Sequence, residues 1–282
     1  MGNTSMNITP PLLALLASCL ILSTAHQQQP QQDACSLRSD DVPCLHVSAC
    51  GVEPAAAFGN FRVCDPASDA PAVQRTVGTM CYDADGIHVS EIASEAHIFS
   101  PYVTCNSEVF DSSDVLEVFI APVLSVLDNP EFYFELDAAP TGAMWGGLSD
   151  NPRGNASTCV SETGCGEGSI GTLPCSGIST FAHNMTVAVA NRTRAWETHL
   201  YIPWGIFDPQ FQPPSGGGGG GGSSSSSSNT TTPWPFWRLN FYRYDYPDGP
   251  NDDFSNYELT GWSPTHEANF HVPERFGVAV FV

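Results

Sequence analysis

Phe132-Tyr133-Phe134-Glu135-Leu136-Asp137 decides the fold. Successive side chains of a strand point to opposite sides, so Phe132, Phe134 and Leu136 share one face while Tyr133, Glu135 and Asp137 share the other. The same period runs through Trp196-Glu197-Thr198-His199-Leu200-Tyr201-Ile202, a half-buried strand that ends at Pro203. Working outward, β-branched or aromatic enrichment predicts further strands at 115–121, 180–189, 237–244 and 276–282, beside those at 131–138 and 196–202. Gly, Pro, Asp and Asn punctuate these runs, and no helical stripe of any length is present. The expectation is an all-β chain, an antiparallel β-sandwich of jelly-roll or immunoglobulin-like type.

At 282 residues with 41% hydrophobic content, the chain is large enough for a real core. Pro213 to Thr232 holds seven consecutive Gly and six consecutive Ser, too little apolar surface to offset the entropy of ordering. As an interdomain linker it would leave a small, disulfide-free domain after Pro233, close to the size at which cores fail. We therefore read 213–232 as a flexible insertion within one sandwich domain spanning 62–282. Loop-closure entropy rises slowly with length, so such an insertion is expected to cost little stability. Residues 26–61 form a Gln-rich stretch followed by a cysteine-containing segment ahead of that domain.

Thirty acidic residues against nine basic ones give a formal charge of −21, and every base is arginine. Such a surface repels nucleic acid and anionic lipid, and it disfavours sulfated or uronate-rich glycans. Residues 11–22 are an apolar run too short to span a bilayer, followed by the small residues Ser23-Thr24-Ala25. This reads as a signal peptide over 1–25 and implies a secreted chain with no membrane insertion. Nine cysteines remain beyond Cys19, so disulfides with one thiol left over are expected, and the sequons at Asn155, Asn184, Asn191 and Asn229 fit a glycoprotein. The cysteine spacings lack the pairs that a zinc site needs. Gly166 to Gly171 matches the dinucleotide fingerprint by letters, but follows no strand and opens no helix.

Three clusters near the C-terminus are more specific: Trp237-Arg238-Leu239-Asn240-Phe241-Tyr242-Arg243, Trp262-Ser263-Pro264-Thr265 and Asn269-Phe270-His271-Val272-Pro273-Glu274-Arg275-Phe276-Gly277. Upstream, in order, stand Cys105-Asn106, Asp114 to Pro122, Phe132 to Asp137, Ala139-Pro140-Thr141-Gly142, Trp196-Glu197 and Ile202-Pro203-Trp204. This ordered set, over roughly 75–282, resembles the family 9-like carbohydrate-binding modules. The resemblance implies a non-catalytic module that binds a polysaccharide or oligosaccharide and assists carbohydrate catabolism, and the charge of −21 makes a neutral glycan the expected ligand. It also implies a sugar held between two aromatic rings, with acidic and amide groups on its hydroxyls and structural calcium bracing the loops. The ring positions correspond to Phe270 and to Asp111, which has Phe110 beside it; neither is Trp. The hydroxyl-binding positions correspond to Glu117, Glu135 and Asp137, the last two standing where the family carries a cationic and an amide group.

The residues themselves suit that chemistry. A sugar has an apolar C–H face and a hydroxyl rim, so a site needs flat rings and fixed oxygen acceptors, and 110–137 with 262–271 supply both. Two rings burying about 150–200 Å² give about 4–5 kcal/mol before association costs, hence affinity of micromolar to millimolar order. Trp196, Trp204, Trp237 and Trp262 are read as core. Glu117 lies in an apolar strand where an unpaired carboxylate is costly, so its expected partner is Arg238, Arg243, Arg275, a sugar hydroxyl or a metal. Asp248, Asp252 and Asp253 offer hard oxygens for calcium, without the spacing of an EF-hand. Competing readings are a glycosidase using Glu117 with Glu135 or Asp137, haem ligation by Met80 or Met144 with His88 or His183, and a structural sandwich without a sugar site.

Overall fold

The computed structural model describes residues 34–37, 42–103, 107–130, 132–150, 186–207, 236–251 and 255–282. Apart from the single-turn helix α1 (Ala34–Leu37) and short 3-10 turns, these residues form strands and connections. The strands are β1 (Cys44–Val47), β2 (Ala56–Gly59), β3 (Arg62–Val63), β4 (Thr76–Tyr82), β5 (Gly86–Ser94), β6 (Val115–Val123) and β7 (Phe132–Ala138). They continue with β8 (Met144–Asp150), β9 (Thr186–Arg192), β10 (Ala195–Pro203), β11 (Phe236–Asp245), β12 (Glu258–Gly261) and β13 (Gly277–Phe281). Two sheets result. The larger runs β1-β13-β11-β6-β7-β8, with β12 also paired to β11 and to β3; the smaller runs β2-β4-β5-β10-β9.

The alternation read from the sequence sets the layers. Val118, Ile120, Phe134, Leu136, Leu239 and Phe241 of the larger sheet pack against Met80, Ile87, Val89, Leu200 and Ile202 of the smaller one. Trp237 lies fully buried among them, Trp262 joins the same core while keeping a small exposed edge, Trp196 is fully buried at another point of the interior, and Trp204 packs against the core half-exposed. The opposite side chains of the larger sheet do not face open water. Segment 262–276 folds over them, and Phe270 and Phe276 join Phe119, Tyr133 and Tyr242 in a second apolar cluster. Covered on both faces, all nine residues of β6 are buried.

Two departures from expectation concern the N-terminal part. β1 pairs in parallel with β13, an exception to the antiparallel pattern, and β2 pairs antiparallel with β4. Residues 44–59 therefore complete an edge of each sheet, and the boundary expected at Arg62 has no counterpart in the strands. Disulfides Cys35–Cys44 and Cys50–Cys81 tie this segment, while Cys64 is a buried free thiol pushed up to about 11 by its burial. The expected signal peptide, the 213–232 insertion, Cys105, Cys159, Cys165 and Cys175 lie outside the described residues. The strand expected at 180–189 is seen as β9, its first part lying outside the description.

Candidate site on the outer face of the larger sheet

Strand register builds the site. Tyr242 of β11 stands opposite Glu117 of β6, Glu117 opposite Asp137 of β7, and Asp137 opposite Trp145 of β8. One row therefore reads aromatic, carboxyl, carboxyl, aromatic across four adjacent strands. In the next row Glu135 stands between Phe119 and Gly147. Glycine is required there because the Trp145 ring lies over it, so that a Cβ at Gly147 would sit 2.7 Å from Trp145 Cη2. At one end of the row Phe270 stacks on Tyr242 at 4.1 Å between centroids, and the Tyr242 hydroxyl donates to the Phe270 carbonyl at 3.0 Å. At the other end Phe110 meets the Trp145 ring edge-on at 5.3 Å.

The sequence-derived residues thus share one face, but they are closed off rather than lining an open hollow. Exposure is 1% for Glu117 and Asp137, 6% for Glu135 and 5% for Phe270. The physical reason is segment 262–276, which presses Phe270 onto Tyr242 and His271 against Phe119. Phe270 is consequently a packing residue, not a free platform. The open rim lies at the far end of the row, where Phe110 and Trp145 are half-buried and Asp111 is exposed. Asp111 receives a long contact from the Tyr102 hydroxyl at 3.5 Å.

Among the described residues no arginine reaches the carboxyls. Arg238 donates to the backbone carbonyls of Phe276, Pro273, Glu274 and Asp128; Arg275 donates to the Pro264 carbonyl; Arg243 is engaged with Glu95 and Asp245. Burial, reinforced by mutual repulsion, raises Glu117 and Asp137 well above the carboxylate range, and burial takes Glu135 to about 8. Glu135 accepts a hydrogen bond from Ser149 Oγ at 3.4 Å and lies 3.7 Å from His271 Nε2. His271 Nδ1 is 2.9 Å from the Tyr133 hydroxyl, and burial holds the imidazole neutral, down to about 4. Both oxygens of Asp137 are buried without a hydrogen-bond partner.

Trp145 escaped the sequence reading, as did the roles of Tyr242 and His271. A usable signal was present: Trp145 follows the Ala139-Pro140-Thr141-Gly142 turn and alternates with Gly147 and Ser149, which places it beside the Tyr133, Glu135, Asp137 face.

Of the three carboxylates expected to hold calcium, the description reaches one. Asp248 is exposed in the turn closed by Gly249 N–H donating to the Tyr246 carbonyl, and Asp252 and Asp253 lie outside the described residues. Glu95, Asp114 and Asp245 do bring oxygens within 4.8 Å of one another. Most of those oxygens are already taken, Asp245 Oδ2 alone being left without a partner. Asp114 accepts from the Phe99 and Tyr246 amides, and Glu95 from Gln74 and the His97 amide. Arg243 Nη2 bridges Glu95 at 2.6 Å and Asp245 at 2.8 Å. Calcium takes six to eight oxygens; here a guanidinium is the cation.

No family model matches the chain, and no curated protein matches it. Among solved structures it is similar to a candidate carbohydrate-binding protein from Bacteroides uniformis, with a TM-score of 0.52 at 14% identity, over 85% of this chain and 99% of that one. The likeness is one of fold. Two further similar structures are of a family 9 carbohydrate-binding module from Caldicellulosiruptor kristjanssonii. In complex with cellotriose it gives a TM-score of 0.45 at 9% identity, over 85% of this chain and 93% of that one. In complex with glucose the TM-score is 0.43 at 9% identity, over 85% and 96%.

Proposed function

We propose that the chain is a secreted, non-catalytic carbohydrate-binding module that takes a neutral glycan at the Trp145 rim. The observation that carries this reading is Asp137: a buried carboxyl with both oxygens free of protein partners, directly across the strand pair from a half-exposed tryptophan. A sugar stacked on Trp145 would turn hydroxyls toward Asp137, which is buried in the free protein and is reached once the half-exposed indole shifts to receive the ring; its raised pKa makes it a neutral group able to donate as well as accept. An acidic sugar would meet a strongly negative chain. The fold shared with the Bacteroides uniformis protein is consistent with this role, and the two disulfides and the exposed Asn191 sequon favour secretion.

With one platform rather than two, stacking buries about 75–100 Å² and contributes roughly 2 kcal/mol, which alone corresponds to tens of millimolar; the hydrogen bonds to Asp137 are expected to bring binding into the millimolar range. A glycosidase needs one carboxyl protonated and its partner ionised. In this site all three carboxyls are driven the same way, toward protonation.

A neutral-glycan array tests the proposal with wild-type protein, Trp145→Ala and Asp137→Asn. Wild-type signal on one or more neutral glycans, lost in Trp145→Ala and reduced tenfold or more in Asp137→Asn, is the expected result. Equal signal from all three proteins would defeat the assignment of this rim.

A further inference from the structure

The smaller sheet carries a groove on the side away from the core. Its register lays two rows of side chains across the strands, small ones over β2 and β4 and longer ones toward β10: Ala57, Thr79, Ser90 and His199 form one, and Gly59, Val77, Ile92 and Glu197 the next. The groove over these rows has a volume of about 720 Å³, and four strands wide at about 4.8 Å per step it extends roughly 14 Å. Around the edge strand β2 it reaches Phe58 and Trp262, which lend it an apolar end.

Its opposite end is polar and held in place. Ser90 Oγ lies 2.8 Å from His199 Nδ1, and His199 Nε2 lies 3.1 Å from Glu197 Oε1. Glu197 also pairs with Arg192. Arg75 lines the groove and makes no ion pair among the described residues, in a chain whose nine bases face thirty acids. The sequence of serine, histidine and glutamate has the connectivity of a nucleophilic relay. It lacks what such a relay needs next, because β5 is paired on both sides and its amides are spent in the ladders rather than aimed at an oxyanion. Fixed donors and acceptors on a shallow floor suit recognition, not bond cleavage.

We propose that this groove is a second glycan-binding site, on the opposite face of the sandwich from the Trp145 rim, taking an extended stretch of neutral polysaccharide. Four features select that ligand. The floor offers hydroxyls and both charge signs in balance, which matches alternating donors and acceptors on a polyol. Small residues leave room for a chain lying flat across the strands. The far end supplies aromatic edges for a C–H face. A groove of about 14 Å accommodates several sugar units rather than one. The proposal rests on the carbohydrate reading above and extends it to a bivalent module, in which two weak contacts to one polysaccharide reinforce each other.

The test is a titration of the full-length protein with cellohexaose, xylohexaose, mannohexaose and laminarihexaose, followed by backbone amide shifts in NMR. Wild type, Thr79→Arg, His199→Ala and Trp145→Ala are compared, with circular dichroism to establish that each is folded. The expected result is two separate groups of shifting amides, one around Trp145 and one around Thr79, Ser90 and His199. Thr79→Arg fills the groove and weakens the second group at least tenfold while leaving the first; His199→Ala weakens it without added bulk. Shifts at the Trp145 rim alone, unaffected by Thr79→Arg, would overturn the groove proposal and leave the first site standing. Shifts at neither face with any of the four sugars would overturn both.

Discussion

Arg243 joins the two sheets at one end. It projects from β11 into the smaller sheet, donating to Thr76 Oγ1, the Ser94 carbonyl and Glu95, and to Asp245 of its own strand. Removing it would leave two buried carboxyls without their cation, a change that typically costs about 3–5 kcal/mol. We expect Arg243→Met to lower the melting temperature by roughly 10 °C, measured by calorimetry. The carboxyls that no described arginine serves make a different demand. Glu135 and the interior Glu91 titrate at about 8, and burial lifts Asp137 in the same direction. An acid whose folded pKa is raised holds its proton after the unfolded chain has released it. Stability from these groups is therefore full below about pH 4 and is lost as pH climbs toward 8. His271, held down to about 4, works the other way, but only up to its unfolded value near 6.5. Between pH 6.5 and 8 the carboxyls act alone, so the melting temperature should fall across that interval. Glu91→Gln should flatten the fall; a melting temperature that rises from pH 6.5 to 8 would contradict the protonated cluster.

Among the elements, glycine contacts show how tightly the strands are placed. A Cβ at Gly78 would stand 2.2 Å from Phe58 Cζ, and Phe58 is itself fixed by stacking on Phe241 at 3.6 Å across the sheets. Gly78→Ala should therefore destabilise by about 1–3 kcal/mol, read as a lower midpoint in urea with an unchanged slope. The strands with strong local pattern were legible: Phe132 to Asp137 announced β7, and Trp196 to Ile202 announced β10. Even Glu135 and Asp137 were placed on the correct side. The remainder depended on long-range partners. β1 is four residues, Cys44-Leu45-His46-Val47, whose strand state comes from β13 more than two hundred positions away. In β6 no alternation of burial exists to be read, because segment 262–276 covers what would otherwise be the wet side. That same covering turned Phe270 from an expected sugar platform into packing, and left the open role to Trp145, which lies next to a turn and looked unremarkable in sequence.

For the whole molecule, the disulfides and the two outer faces matter most. Cys50–Cys81 closes a loop with sequence separation 31 and links the start of the chain to β4. By chain entropy such a link contributes about 3–4 kcal/mol, so the Cys50→Ser/Cys81→Ser double variant should melt well below wild type in non-reducing buffer. The larger sheet presents its carboxyl row beneath the Trp145 rim, and the smaller sheet presents its groove on the far side. Crystallographic determination of the complex with a neutral hexasaccharide, at a concentration that saturates binding, tests the central claim most directly. The account requires a sugar ring lying on the Trp145 indole with a hydroxyl hydrogen-bonded to Asp137. Saturated crystals in which no bound sugar, wherever else on the protein it lies, touches either of these two residues would contradict it.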